Sequence, residues 1–293
     1  MRKNFFALAV MLAVTLACAG TQPTAPATSA QNVETMVAAT MQAWTVNAPP
    51  PTIIPTTPPA NGPVVSFENV NFILPAEVAT NALAGSVSAV NVTDGPMSVN
   101  TPEHIKFEFD GYALYGTFHE PHIIVYPAQE YAALNEGASR SIAKLQAILN
   151  GTAAPIAENL PFIASFNAGQ LFAAQIQVIQ FQSGSGVRFL TEYGQYFATA
   201  NNHDLFYQFQ GLTSDGKYYI LAILPASHPL LAYDEKPETA PPSGGIPFPG
   251  YENESELTNY YTNVVNLLNS AAPENFTPAL TSLDALIQSL EIH

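Results

Sequence analysis

The fold is decided by residues 205–224, which read LFYQFQGLTSDGKYYILAIL. Residues 205–212 and 217–224 are rich in aromatic and aliphatic side chains. Asp215-Gly216 between them supplies the positive φ values that a tight hairpin requires. Leu221–Leu224 is apolar enough to lie in the interior. This stretch therefore predicts two antiparallel strands, the second of them in the interior.

Further hairpins are predicted on the N-terminal side. Phe172–Gln182 and Val187–Tyr193 are joined by the turn sequence Ser183-Gly184-Ser185-Gly186. Val64–Phe67 and Val70–Leu74 flank a two-residue turn. Strands joined in this way lie antiparallel.

Two more strands and a helix are predicted between these hairpins. His104–Asp110 alternates apolar and charged side chains, which is typical of a half-buried strand. His122–Tyr126 is apolar and reads as a central strand, and the apolar spacing of Ser139–Leu149 predicts a helix.

The C-terminal part is predicted to be helical. Asn253 and Glu256 form a capping-box-like pair before one apolar-periodic segment. Thr277 and Pro278 are the expected N-cap and first-turn residues of a second. The predicted fold class is α+β, with a largely antiparallel sheet built from hairpins, one mid-chain helix and two C-terminal helices. This arrangement is loosely similar to PsbP-like sandwiches.

The N-terminus carries the clearest functional motif. Arg2 and Lys3 precede the apolar stretch 4–17, which is too short to cross a bilayer and has signal-peptide proportions. It ends in Thr15-Leu16-Ala17-Cys18 and so resembles the lipobox of bacterial lipoproteins. The resemblance implies cleavage before Cys18, a diacylglyceryl group on its sulfur, and a place on the outer side of a cell membrane or envelope. The alternative is an ordinary secretory signal.

Three regions are predicted along the chain. Residues 1–17 form the signal peptide, residues 18–63 a Thr/Pro-rich stalk, and residues 64–293 a single globular domain. The stalk contains one segment of helical apolar spacing, 32–44, which ends at the only tryptophan. That segment is either an interfacial or partner-binding helix, or a transient helix.

The charge of the chain excludes one class of partner. Its 23 acidic residues outnumber 8 basic residues, for a net charge of −15. Such a surface repels phosphate backbones, so we expect no nucleic-acid binding. It also disfavours electrostatic docking on anionic lipid, so membrane attachment is expected to depend on acyl chains.

Histidines and acids offer two metal hypotheses. His119 and His122 point to opposite faces in a strand, so a site there would need His104, His203 or Asp204 as well. The alternative is that they mark the wet end of a strand. A second group of acids surrounds the Pro/Gly-rich segment 225–250 and suggests either a calcium site or a solvated loop: Asp234, Glu235, Glu238, Glu252, Glu254 and Glu256. Neither spacing is a recognised metal motif, so no metal or other cofactor is predicted.

Amide and aromatic side chains on the hairpins suggest a ligand platform. Such residues stack on the apolar faces of a carbohydrate or peptide and hydrogen-bond its edges. The candidate ligand-binding residues are Tyr193, Tyr207, Gln208, Gln210 and Tyr219. Tyr207 and Gln208 point to opposite faces, so some tyrosines must be core. The alternative is an ordinary sheet with a solvated, glutamine-rich face.

Two functions from different classes are compatible with these features. The favoured one is a lipid-anchored, non-catalytic binding or envelope-assembly module on a flexible stalk, with a glycan or peptide as ligand. No catalytic residues are assigned to it. The alternative is a cell-surface hydrolase whose acid pair would join Glu103, Glu108 or Asp110 with Glu120, because acid pairs of glycosidases lie roughly 5–10 Å apart.

Overall fold

The computed structural model describes residues 61–93 and 97–293. The signal peptide, Cys18, most of the stalk and the segment 32–44 lie outside the described residues, so the predictions made for them remain predictions.

The architecture is a seven-stranded antiparallel sheet beside a three-stranded one. The large sheet has the strand order β3-β4-β5-β9-β8-β7-β6, and the small sheet has the order β1-β2-β10. The strands are β1 (Val64–Phe67), β2 (Val70–Ile73), β3 (Asn81–Val87), β4 (His104–Asp110), β5 (His122–Pro127), β6 (Gly169–Phe181), β7 (Gly184–Gly194), β8 (Phe206–Thr213), β9 (Tyr218–Pro225) and β10 (Glu291–Ile292).

Four α-helices accompany the sheets in the part of the chain that the structure describes, and with them the predicted α+β class is confirmed. They are α1 (Ala128–Leu134), α2 (Glu136–Leu149), α3 (Glu254–Ser270) and α4 (Leu280–Gln288). Asn253 caps α3 as predicted, because its side chain accepts a hydrogen bond from the Ser255 amide at 3.0 Å. The mid-chain helix is preceded by a separate helix, α1, which the sequence analysis missed.

The predicted start of the last helix is wrong. Thr277 is not its N-cap, because the amide and carbonyl of Thr277 both bond to the backbone of Ser227, at 3.0 and 2.9 Å. The helix instead begins at Leu280 with Ala279 at the N-cap position, so Pro278 lies before the first turn.

Helices cover both faces of the large sheet, and this explains why β9 is apolar throughout. Ile220, Ala222 and Leu224 belong to a core shared with the small sheet, α3 and α4. The intervening side chains, Leu221 among them, belong to a second core shared with α1, α2 and the 160–164 segment. Burial on both faces removes the polar alternation that a half-exposed strand shows.

A buried ion pair joins α4 to the sheet. Arg188 on β7 is fully buried, and its Nε and second terminal nitrogen donate to Asp284 at 3.1 and 3.3 Å. The Tyr207 hydroxyl donates to the same carboxylate at 2.8 Å. The remaining guanidinium nitrogen donates to the carbonyl of Gln175, which lies at a bulge of β6 with a φ of 54°. The charges are thus paired and hydrogen-bonded, as buried charges require.

Candidate functional site

Four of the five residues predicted to form a ligand platform are buried, so an exposed platform at these positions is wrong. Tyr207, Gln208 and Gln210 are completely inaccessible, Tyr219 is 2 % exposed, and Tyr193 is half-buried. The platform prediction treated one face of these strands as open, whereas other segments of the chain cover both faces.

The glutamines are held by a segment that lies about fifty residues earlier. The Pro161 carbonyl accepts hydrogen bonds from the amides of Gln208 at 3.3 Å and Gln210 at 3.0 Å. The Gln208 oxygen accepts a bond from the Tyr193 hydroxyl at 3.2 Å, and Gln210 accepts one from Tyr219. These amides satisfy interior hydrogen bonds, as buried polar groups do.

The acids named for a hydrolase are exposed and do not have the environment of a catalytic acid. Glu103, Glu108, Asp110 and Glu120 all lie at the surface. Lys106 contacts Glu108 at 2.5 Å and holds the pKa of that carboxyl below its ordinary value. A general acid needs the opposite shift, which burial produces.

Three long connections leave the same end of the large sheet. The register pairs Glu108 with His122, Phe206 with Pro225, and Gly169 with Gly194 near this end. The connections 111–121, 195–205 and 226–253 therefore emerge side by side, and we call them the loop end.

Backbone hydrogen bonds hold these three connections together. The Phe118 amide donates to the His203 carbonyl at 2.7 Å. The Asn202 amide donates to the Ala232 carbonyl at 2.9 Å, and the Thr199 amide to the Glu235 carbonyl at 3.2 Å. The loop end is thus an ordered part of the fold.

Exposed aromatic rings are concentrated at the loop end. Of the residues that the structure describes, those with exposed aromatic side chains all lie on these three connections: Tyr115 (97 % exposed), Phe118 (68 %), Tyr196 (59 %), Tyr233 (77 %) and Tyr251 (53 %). The sequence analysis missed this feature. The sequence feature that could have revealed it is the position of aromatic residues within Gly/Pro-rich connections, where neither a helix nor a strand can bury them.

The loop end also brings three metal-binding side chains together. His203, Asp204 and Glu235 are half-buried, and one donor atom from each lies within 4.8 Å of the other two. His203 Nδ1 lies 2.7 Å from Asp204 Oδ1. The two metal hypotheses each named part of this group, since one included His203 and Asp204 and the other included Glu235.

Of the three other histidines of the first metal hypothesis, His104 lies against the Tyr126 ring, and His119 lies among aromatic side chains. His119 stacks on Phe166 at a ring distance of 5.3 Å and contacts Phe206 edge-on at 4.4 Å. Burial lowers the pKa values of His119 and His122 to about 4, so both are neutral at pH 7. Neither belongs to the group whose donor atoms lie within 4.8 Å of one another.

The other acids around 225–250 have structural partners or lie in solvent. Asp234 bonds to Lys236 at 2.9 Å and to the Thr239 hydroxyl. Glu256 accepts a bond from Asn253 at 3.0 Å, and Glu254 lies in the first turn of α3, where negative charge stabilises a helix. Glu235 is therefore the member of this acidic group that joins a histidine.

A buried carboxylate lies close to this group. Glu192 on β7 is 1 % exposed, and its Oε1 accepts the Asn201 amide at 2.8 Å. Its Oε2 has no hydrogen-bond partner among the described residues. Burial, together with the charge of Asp204, raises the pKa of Glu192 well above its ordinary value. No sequence pattern marks this residue, because its strand is buried on both faces.

Comparisons with known proteins give no relative: no family model, no curated protein and no solved structure matches the chain. Among the residues described, no helix has both the length and the apolar character needed to cross a bilayer.

Proposed function

We propose that this protein is a lipid-anchored, extracytoplasmic binding module whose ligand-binding surface is the loop end. The observation that carries the proposal is the concentration of exposed aromatic side chains on three adjoining connections. The proposed ligand is a glycan or peptide, bound without chemical conversion, in cell-surface recognition or envelope assembly.

The chemistry of the loop end supports recognition. Large aromatic rings in water are unfavourable unless something covers them, and they are enriched where proteins bind partners. His203, Asp204 and Glu235 lie on two of the same connections and offer polar groups for a ligand's hydroxyl or amide groups. A sugar or an extended peptide requires aromatic rings on which it can stack and polar groups with which it can form hydrogen bonds.

Much of the rest of the large sheet leaves little surface for a ligand, which favours the loop end as the binding surface. Both faces are covered over its strands β5, β7, β8 and β9, whereas β3 and β4 keep an exposed face. At the end opposite the loop end, β6 and β7 are joined by Gln182-Ser183, and β8 and β9 by Ser214–Lys217. Such tight turns present little surface, and the longer connection at that end, 88–103, contains no Phe, Tyr or Trp.

The anchor is supported by the N-terminal sequence. The apolar stretch 4–17 followed by Cys18 matches the pattern of a lipoprotein signal, and acyl chains would hold the domain at the membrane. The Thr/Pro-rich stretch 18–63 would then carry the loop end away from the lipid surface.

Binding can be tested on glycan and peptide arrays with the full chain carrying Cys18→Ser, followed by titration of the best ligand. Replacing Tyr115, Tyr233 and Tyr251 together by alanine is expected to weaken binding at least about tenfold, since anchoring aromatic residues contribute most of the energy of an interface. All three side chains are more than half exposed, so the fold should tolerate the change.

The matched control replaces exposed apolar side chains elsewhere, Val64→Ala and Leu83→Ala, which are 69 % and 59 % exposed. These changes are expected to leave the affinity unchanged. A ligand that the triple tyrosine variant binds as tightly as the parent would refute this surface, and a chain that binds neither array would refute the ligand classes.

A further inference from the structure

We propose that His203, Asp204 and Glu235 form a binding site for one divalent transition-metal ion, with Zn²⁺ as the best fit. The site goes beyond the proposed function, because it stands on the geometry of two connections whatever the exposed tyrosines bind. The site joins His203 and Asp204, which directly precede β8, to Glu235 on the connection that follows β9.

The donor atoms already converge. One ligand atom from each of the three side chains lies within 4.8 Å of the others, and all three residues are half-buried. His203 Nδ1 and Asp204 Oδ1 are 2.7 Å apart, whereas two ligands of a tetrahedral Zn²⁺ at 2.0–2.1 Å lie about 3.3 Å apart. Side-chain movements within one rotamer well would convert their hydrogen bond into a pair of metal bonds.

The framework holds the first two ligands in place. Asn201 Oδ1 accepts hydrogen bonds from the amides of His203 at 2.9 Å and Asp204 at 3.0 Å. Its amide nitrogen donates to Asp204 Oδ2 at 3.1 Å. Asn201 is itself completely buried, so the backbone of both ligands is fixed before any ion arrives.

The third ligand is fixed by backbone pairing. The Glu235 carbonyl accepts the Thr199 amide at 3.2 Å, and the neighbouring Lys236 carbonyl accepts the Thr199 hydroxyl at 3.1 Å. The Lys236 ammonium bonds to Asp234 at 2.9 Å. The basic residue next in sequence to Glu235 is therefore engaged with another acid.

A buried acidic side chain lies behind the site. Glu192 is a separate observation: this carboxylate is 1 % exposed, and its Oε2 has no hydrogen-bond partner among residues 61–93 and 97–293. Its other oxygen accepts the amide of Asn201, the same residue that bonds to Asp204. Asn201 thus links a second buried acidic side chain to the site.

The donor set selects the class of metal. An imidazole with two carboxylates suits Zn²⁺ and its first-row neighbours. Ca²⁺ takes six to eight oxygen ligands and gains little from a histidine, and Mg²⁺ retains most of its water. Three protein ligands would leave at least one coordination position for water or for a group of a bound ligand.

The test uses the full chain carrying Cys18→Ser, which removes the only thiol, without a histidine tag and after treatment with chelator. Isothermal titration with Zn²⁺ is expected to give one ion per chain. At a hundredfold excess over Kd, the melting temperature is expected to rise by about 5–10 °C. Ca²⁺ is expected to bind at least about tenfold more weakly than Zn²⁺.

Two variants test the assignment of the ligands. His203→Gln and Glu235→Gln are each expected to weaken Zn²⁺ binding at least tenfold and to change the visible absorption of the Co²⁺-loaded protein, which reports directly on the ligands. The matched control is His293→Gln, which alters an exposed histidine 3.5 Å from Glu291 and should leave both measurements unchanged. Equal chelator-treated circular dichroism spectra show that the variants are folded.

Four results would overturn the proposal: no Zn²⁺ uptake by the parent, uptake that both ligand variants retain, uptake that His293→Gln abolishes, or a preference for Ca²⁺. Loss of array binding by the tyrosine variant has no bearing on this outcome. The two proposals can therefore fail separately.

Discussion

Replacing Asp284 by asparagine should destabilise the domain far more than any change to a surface ion pair. Asp284 is 5 % exposed and faces the fully buried guanidinium of Arg188. Asparagine keeps the size of the side chain, removes its charge and replaces one acceptor oxygen by an NH₂ donor. The variant would therefore leave a guanidinium in the interior without its counter-charge.

The magnitude follows from what each partner loses. Of the two Arg188–Asp284 hydrogen bonds, at 3.1 and 3.3 Å, one would be lost, because an amide nitrogen cannot accept it, and the other would lose its ionic character. The Tyr207 bond at 2.8 Å would lose a charged acceptor. Breaking a buried pair on one side costs about 3–5 kcal/mol, because the remaining charge stays desolvated. For a domain of this size, such a loss lowers the melting temperature by about 6–20 °C.

The assay is urea denaturation of the full chain carrying Cys18→Ser, followed by circular dichroism and by tyrosine fluorescence. The matched control is Glu108→Gln, which removes one carboxylate from the exposed pair with Lys106. That change is expected to alter the free energy of unfolding by less than about 0.5 kcal/mol. A double variant, Arg188→Met with Asp284→Leu, should regain most of the stability lost by Asp284→Asn.

Either of two results would refute this reasoning. If Asp284→Asn costs less than about 1 kcal/mol, the guanidinium has access to water or to another acceptor. If the double variant is as unstable as Asp284→Asn, the loss comes from packing of α4 rather than from an uncompensated charge.

Two further predictions concern single residues. Because burial raises the pKa of Glu192 well above 4.5, the folded chain retains a proton that the unfolded chain releases, so stability should fall as pH rises above 4.5. Glu192→Gln should remove that slope and match the parent near pH 4, as measured by urea denaturation in chelator; a parent stability that does not fall above pH 4.5 would contradict this. If Cys18 carries acyl chains, the mature protein should partition into detergent and Cys18→Ser should not. Mass spectrometry that finds an unmodified N-terminus at any other residue would exclude the anchor.

Local sequence predicted the parts of the fold that local interactions determine. In the 205–224 hairpin, Gly216 adopts a φ of 72°, as the Asp-Gly turn required. In β4, the alternation is confirmed, since Ile105, Phe107 and Phe109 are buried and the charged residues between them are not. These features depend only on the two-residue alternation of side chains along a strand or on the backbone conformational freedom of a glycine.

The platform prediction failed because periodicity assigns residues to a face without showing what covers that face. Gln208 and Gln210 do share one face, as expected. Pro161, which covers them, belongs to a segment of no regular period. Chain topology brings that segment across the sheet, and no local pattern contains this information.

The loop end could not be predicted for the same reason. Phe118, His203 and Glu235 come from three connections far apart in the sequence, and the strand order β5-β9-β8-β7 brings those connections together. The residue types are visible in the sequence, which offers His203, Asp204 and Glu235 as possible metal ligands. Their grouping is not visible, because His203 and Asp204 precede β8 whereas Glu235 lies on the connection that follows β9.

The pattern of burial gives a reason for function to lie at this end. Strands covered on both faces, such as β8 and β9, have little surface left for recognition, and the tight turn that joins them provides little more. Loops on a rigid scaffold can carry exposed rings and metal-binding groups without disturbing the core. Two residues of one connection show this division of roles. The Tyr233 side chain is 77 % exposed, whereas the half-buried Glu235 side chain lies close to His203 and Asp204. A metal ion there would fix the base of the surface that the tyrosines present, so removing Zn²⁺ should weaken ligand binding even though no tyrosine is altered.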